Sequence, residues 1–215
     1  MAKEKHLTMC DESIRYLMDK DFRLKTLIGE IGEIHYKTHD DDPYGFLIHE
    51  ILEQMLSVKA AQKIHERLVM LCEGEVSPEK IMMMDADTLK SIGTSIQKVK
   101  YIKSLTEAVT CGRIDLLSLQ NSSDDSVMST LTEIPGIGNW TAKMFLIFVL
   151  DRLDVLPYED GAFKQSFKWL YDTEDTSKEN IIETCRCWSP YSSVASRYLY
   201  RALDSGLTKK SLFYY

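Results

Sequence analysis

Apolar residues recur along this chain at the spacing of one helix face and almost nowhere at the spacing of a strand. Ala61, Ile64, Leu68 and Leu71 form one stripe, and Ile96, Val99, Ile102, Leu105 and Val109 form another. Each follows the i, i+3, i+4 rule that sets side chains on one side of an α-helix. Strand alternation is absent over any useful length. The chain therefore reads as all-α, with about ten to twelve helices joined by short loops. Turn signals divide the stripes at Asp40-Asp41-Asp42-Pro43, Gly74 to Pro78, Cys111-Gly112, Asn121 to Asp125, Pro135 to Gly138 and Ser189-Pro190. Met and aromatic residues within the stripes are expected to be core. Met82-Met83-Met84 is expected to pack as one helical turn between Pro78 and a cap at Asp85.

With 215 residues and 44% hydrophobic content, the chain can bury a core without staples. Its five cysteines, Cys10, Cys72, Cys111, Cys185 and Cys187, are odd in number and scattered. They do not read as a disulfide framework and point to a reducing compartment. No run approaches the roughly 20 apolar residues that span a bilayer, and the charged start lacks the apolar segment of a signal peptide. The expectation is a non-exported protein with no membrane partner. A formal net charge of −7 argues against polyanion binding through the long-range field. Any nucleic-acid contact must then come from local geometry, such as a helix N-terminus whose amides hold a phosphate.

One stretch has that geometry. From Leu131 a helix must stop at Pro135, turn through Gly136-Ile137-Gly138 and restart at Asn139. Gly136 and Gly138 can take left-handed angles, Ile137 can plug into the core, and Asn139 can cap the new helix. The same residues would equally serve as a plain link between two packed helices. Asp160 also has two readings: a chemical carboxylate, or simply the N-cap of an apolar helix carrying Phe163, Phe167 and Leu170.

Taken together, Pro135-Gly136-Ile137-Gly138, Trp140-Thr141-Ala142, Asp154-Val155, Pro157 and Asp160 resemble the helix-hairpin-helix DNA glycosylase superfamily. The segments Asp42-Pro43-Tyr44-Gly45-Phe46-Leu47, Gln54 to Ala61, Gly93 to Tyr101, Gly112-Arg113-Ile114-Asp115 and Trp188 to Ala195 are similar to its 3-methyladenine DNA glycosylase II group, in a short form without an N-terminal β-domain.

The resemblance implies two helical lobes with an active-site cleft between them. One lobe would span about residues 40–130 with the hairpin at 131–145, and the other would combine about 8–40 with about 146–215. It implies that Asp160 is the catalytic carboxylate, stabilising positive charge on the deoxyribose as the base leaves. Trp140, Met144 and Tyr200 would line the base pocket, where aromatic walls suit cationic purines. Pro135, Gly136, Ile137, Gly138 and Thr141 would hold DNA. Gln54 and Met55 would meet it as well, with Met55 as the wedge that fills the gap left by a flipped base, unless that side chain is core. Lys59, Lys98, Lys143, Lys164 and Lys168 are candidate phosphate contacts or solvated helix faces. Asp154 reads as structural.

Trp140 stands where strand-cutting relatives carry a lysine nucleophile, which implies simple hydrolysis. Cys185-Arg186-Cys187 does not have the spacing of an iron–sulfur site. No cofactor is required and no metal is expected, although hairpin carbonyls leave room for a single monovalent cation. The five histidines are expected to be ordinary surface or core residues. The expected partner is double-stranded DNA containing damaged bases, bound by a monomer in the bacterial cytoplasm or the eukaryotic nucleus. Two alternatives remain: a sister glycosylase for another lesion or mismatch, and a non-catalytic helix-hairpin-helix DNA-binding protein.

Overall fold

The computed structural model describes residues 2–210. Among them, twelve α-helices account for most of the chain. The chain divides into two compact units: a terminal unit of Lys3–Thr38 and Asp151–Tyr215, and an inserted unit of Met1–Ala2 and His39–Leu150.

The terminal unit opens with strand β1 (Glu4–Leu7), helices α1 (Glu12–Lys20) and α2 (Phe22–Ile31), and strand β2 (Ile34–Lys37). β1 and β2 pair antiparallel, with His6 opposite His35 and Leu7 opposite Ile34. This small sheet departs from a strictly helical chain. Its strands are four residues long, too short for period-two alternation to register against the helical background. Asp21 ends α1 and caps α2, its Oδ1 accepting from the Leu24 amide at 2.9 Å. Its other oxygen accepts from Trp188 Nε1 at 2.8 Å and from the Tyr171 hydroxyl. The carboxylate is therefore buried but fully engaged, as burial of a charge requires.

In the inserted unit, α3 (Pro43–Glu53), α4 (Val58–Leu71), α5 (Pro78–Met83), α6 (Ala86–Ser91), α7 (Ile96–Thr110), α8 (Asp124–Thr132) and α9 (Asn139–Met144) follow in order. Local chemistry sets their starts. Asp42, Ser57, Ser77, Asp85, Ser95 and Ser123 each accept a hydrogen bond from an amide in the first turn of the helix they precede, and Pro43 and Pro78 sit where a missing N–H is harmless. Leu68, Val99, Ile102 and Leu105 lie in the core as their spacing requires. Leu71 and Ile96, at helix ends, are exposed. The methionine run is corrected. Ile81 is the buried residue of α5, whereas Met83 is 87% exposed and Met82 is also on the surface; a six-residue helix presents only one narrow face to its neighbours. Asp85 does cap, but it caps α6, accepting from Thr88 at 2.7 Å.

The chain then returns to the terminal unit through α10 (Gly161–Tyr171), α11 (Lys178–Cys185) and α12 (Ser192–Asp204). Phe163, Phe167, Trp188 and Tyr198 join Ile14, Leu17, Leu24, Leu27 and Ile28 in one fully buried cluster. Each of these large side chains contributes about 1.5–3 kcal/mol by leaving water.

Candidate functional site

The hairpin is built by backbone geometry. After α8 the Ile137 amide donates to the Ile134 carbonyl at 3.0 Å, closing a tight turn. Gly136 takes φ +95°, and a Cβ there would lie 2.2 Å from Cγ of Tyr101. Glycine is thus required twice, by conformation and by space. Gly138 differs: its φ is −99° and ψ −177°, ordinary extended backbone, with nothing near the position of a Cβ. The left-handed expectation holds for Gly136 alone. Asn139 also departs from expectation, since Gly138 is the N-cap residue, Asn139 is the first residue of α9, and no side chain caps that end. Pro135 and Gly138 are exposed while Ile137 is 4% exposed and plugs the turn into the core. Thr141 and Met144 are buried on α9 and Trp140 is half-buried. Beyond Met144 the helix widens into a π turn, Phe145–Val149.

Against the hairpin stands the end of α3. Gln54 Nε2 donates to the Gly136 carbonyl at 2.8 Å and lies 3.5 Å from Thr141 Oγ1, so the structure brings Gln54 to two hairpin residues from a distant part of the sequence. The next residue, Met55, adopts φ +59° and is fully solvent-exposed, which rules out the core reading for its side chain. A non-glycine residue in that region costs about 1–3 kcal/mol and persists only where its surroundings hold it. Lys98 on α7 supplies that hold: its Nζ donates to the carbonyls of Leu52 at 2.7 Å and Gln54 at 2.6 Å. Burial lowers the pKa of its ammonium group below the usual lysine value. This lysine fastens the Met55 loop. Gly93 has φ +97°, almost the angle of Gly136, and Ser95 caps α7.

In the terminal unit, Asp160 is 8% exposed at the start of α10. Its amide donates to the Pro157 carbonyl at 2.9 Å, and its Oδ1 accepts from the Phe163 amide at 2.7 Å. The cap reading is therefore correct. A cap also fixes a carboxylate in one rotamer, which a preorganised catalytic group needs. The preceding loop is tied to the start of α12: Asp154 accepts from the Ser192 amide at 3.1 Å, the Ser192 hydroxyl at 2.6 Å and the Ser189 hydroxyl at 2.5 Å. The Val155 amide donates to Ser193 Oγ at 2.9 Å. Tyr200, on α12, is half-buried against the core of this unit. Asp160 and Tyr200 thus belong to the terminal unit, and the hairpin, Gln54, Met55, Trp140 and Met144 to the inserted one.

Known proteins resemble this chain over nearly its whole length. The DNA-3-methyladenine glycosylase 1 of Schizosaccharomyces pombe is 29% identical over 205 residues, covering 93% of this chain and 90% of its own length. A crystal structure of a Bacillus halodurans DNA-3-methyladenine glycosidase superposes with a TM-score of 0.82 at 33% identity, covering 97% of both chains. The S. pombe 3-methyladenine DNA glycosylase in complex with abasic DNA superposes with a TM-score of 0.84 at 27% identity, covering 95% of this chain and all of the other. Residues 48–190, from within α3 through the hairpin and Asp160 to just before α12, match the model of the HhH-GPD superfamily base excision DNA repair proteins, and the chain belongs to that family.

Proposed function

We propose that this chain is a monofunctional DNA glycosylase that hydrolyses the N-glycosidic bond of alkylated purines, of the 3-methyladenine and 7-methylguanine type. The observation that carries the reading is the end-to-end match to 3-methyladenine enzymes, 97% of both chains in one case; Asp160, a buried cap, is the residue that the family resemblance makes the catalytic carboxylate. The exposed Gly138 edge of the hairpin and the first turn of α9 hold a phosphate near the lesion, which gives affinity independent of sequence. Met55, rigidly presented and bare, fills the stack when the damaged nucleotide leaves it. Trp140, Met144 and Tyr200 receive the base.

An N3- or N7-alkylated purine carries positive charge and departs neutral, taking the electron pair of the broken bond. The charge then appears on the sugar, where Asp160 stabilises it, and water adds at C1′ and gives up a proton. With tryptophan at position 140 there is no lysine to form a Schiff base there, so the strand stays intact. No cofactor enters the reaction. Hairpin carbonyls also suit a weakly held monovalent cation: those of Ile134 and Gly136 each accept one protein donor, the Ile137 amide and Gln54, and each keeps a second lone pair. The enzyme acts on double-stranded DNA as a monomer. Its net charge of −7 makes binding modest and strongly dependent on salt.

The test is release of free 3-methyladenine from methylated duplex DNA by the wild type and Asp160→Asn, followed by alkali. Release by the wild type, lost in the variant and without strand scission before alkali, is the expected result. Intact DNA binding with no release would overturn the alkylpurine assignment in favour of an oxidised, deaminated or mismatched base.

A further inference from the structure

The short sheet of the terminal unit carries a cluster that the glycosylase reaction does not use. His6 on β1 and His35 on β2 are register partners. Side chains directly opposite each other on antiparallel strands leave the same face of the sheet, and here the two imidazoles stack with centroids 3.7 Å apart and planes 17° from parallel. Glu33, two residues before His35, places its Oε2 2.9 Å from His6 Nε2. One ligand atom from each of the three lies within 4.8 Å of the others, and all three residues are exposed.

We propose that His6, Glu33 and His35 form a binding site for a divalent transition cation, with zinc as the representative ion. Two imidazole nitrogens and one carboxylate oxygen are a set that zinc and its neighbours take, whereas magnesium and calcium prefer oxygen alone. Metal–ligand bonds of about 2.0–2.2 Å place tetrahedral ligand atoms roughly 3.3 Å apart; because an imidazole lone pair lies in its ring plane, the two exposed rings turn out of their stack to converge on an ion. Solvent supplies the remaining position. The backbone needs no adjustment, because Leu7 and Ile34, the buried pair next along the ladder, already fix the register from the other face. The neighbouring outward pair, Lys37 and Glu4, is a salt bridge at 3.1 Å, so the lysine next to the cluster is paired.

The site replaces the expectation that His6 and His35 are ordinary surface residues. It ties β1 to β2. A two-stranded sheet is marginal by itself, and a ligand that binds only the folded form raises stability by mass action. The proposal is independent of the glycosylase reading, because its readouts are heat and melting temperature rather than base release.

The experiment is calorimetric titration of untagged, chelator-treated full-length protein with zinc chloride, paired with thermal melts and a cobalt titration followed by visible absorption. Expected are one ion per chain, cobalt ligand-field bands, and a melting temperature that rises with zinc but not with magnesium. His6→Ala and His35→Ala should each weaken zinc at least about tenfold, since even outer-shell partners of a metal site are worth that much. Glu33→Gln should weaken it less, and Asp160→Asn should bind as the wild type does. Circular dichroism checks that these surface variants stay folded. Absence of zinc binding, or an affinity unchanged in both histidine variants, as cysteine ligation elsewhere would give, overturns the site.

Discussion

The side-chain amide of Gln54 donates to the Gly136 carbonyl at 2.8 Å, joining residues 82 positions apart. The bond fixes the end of α3, and with it the backbone that carries Met55, against the turn of the hairpin. Gln54→Ala should leave the core intact and loosen this junction. A neutral hydrogen bond contributes about 1 kcal/mol, so affinity for an abasic-site duplex should fall roughly fivefold, as read by fluorescence anisotropy. Full wild-type affinity in the variant would mean that the junction has no part in holding DNA.

Lys98 is spent on two carbonyls of the protein, those of Leu52 and Gln54. In Lys98→Met both acceptors lose their charged donor, at a cost of about 1–3 kcal/mol, to be measured by urea denaturation. The slope of log affinity against log salt should stay at the wild-type value. A slope shallower by about one, with stability unchanged, would instead place Lys98 on a phosphate.

The two hairpin glycines should part company under substitution. Gly136→Ala puts a methyl group into the Tyr101 side chain at a residue with φ +95°, so a loss of at least about 2 kcal/mol is expected from strain and overpacking. Gly138→Ala meets open space at an ordinary φ. Its melting temperature should stay within about 2 °C of wild type, and equal damage from both variants would contradict the geometry described.

Asp160 caps α10 and is the proposed catalytic carboxylate, and substitution separates the two roles. Asparagine caps as well as aspartate, and loss of the charge at the helix start costs about 0.5 kcal/mol. Asp160→Asn should melt close to wild type while losing base release by a factor of about 10² or more. Asp160→Ala should be equally inactive and less stable by about 1 kcal/mol. Thermal melts beside base-release assays give both numbers. A substantially active asparagine variant would remove Asp160 from the chemistry.

How much of this was legible depended on the reach of each signal. The α10 cap could be read because a capping aspartate and the apolar residues it serves are neighbours in sequence. The turn through Gly136 could be read because proline and glycine restrict or free the backbone where they stand. The β1–β2 pair could not, since strands of four residues are recognised by their partner. Met82 and Met83 were misplaced for a related reason: an apolar residue on a short helix is core only if a neighbour covers it. Lys98 looked like any surface lysine because its acceptors lie 44 and 46 residues away. Asn139 lost the cap position to Gly138, whose extended backbone let the helix begin one residue early.

The terminal unit draws on both ends of the chain, with Asp21 bonded to Tyr171 and Trp188 across 150 and 167 residues. On the ribosome, His39–Leu150 emerges with its core complete, while α1 and α2 wait with Ile14, Leu17, Leu24, Leu27 and Ile28 uncovered until the last third of the polypeptide arrives. Synthesis that stops early yields a chain bearing the hairpin but neither Asp160 nor the helices that shelter those residues. Such a fragment keeps the loop proposed to face DNA without the carboxylate proposed to act on the sugar, and its uncovered apolar surface marks it for chaperones and proteases.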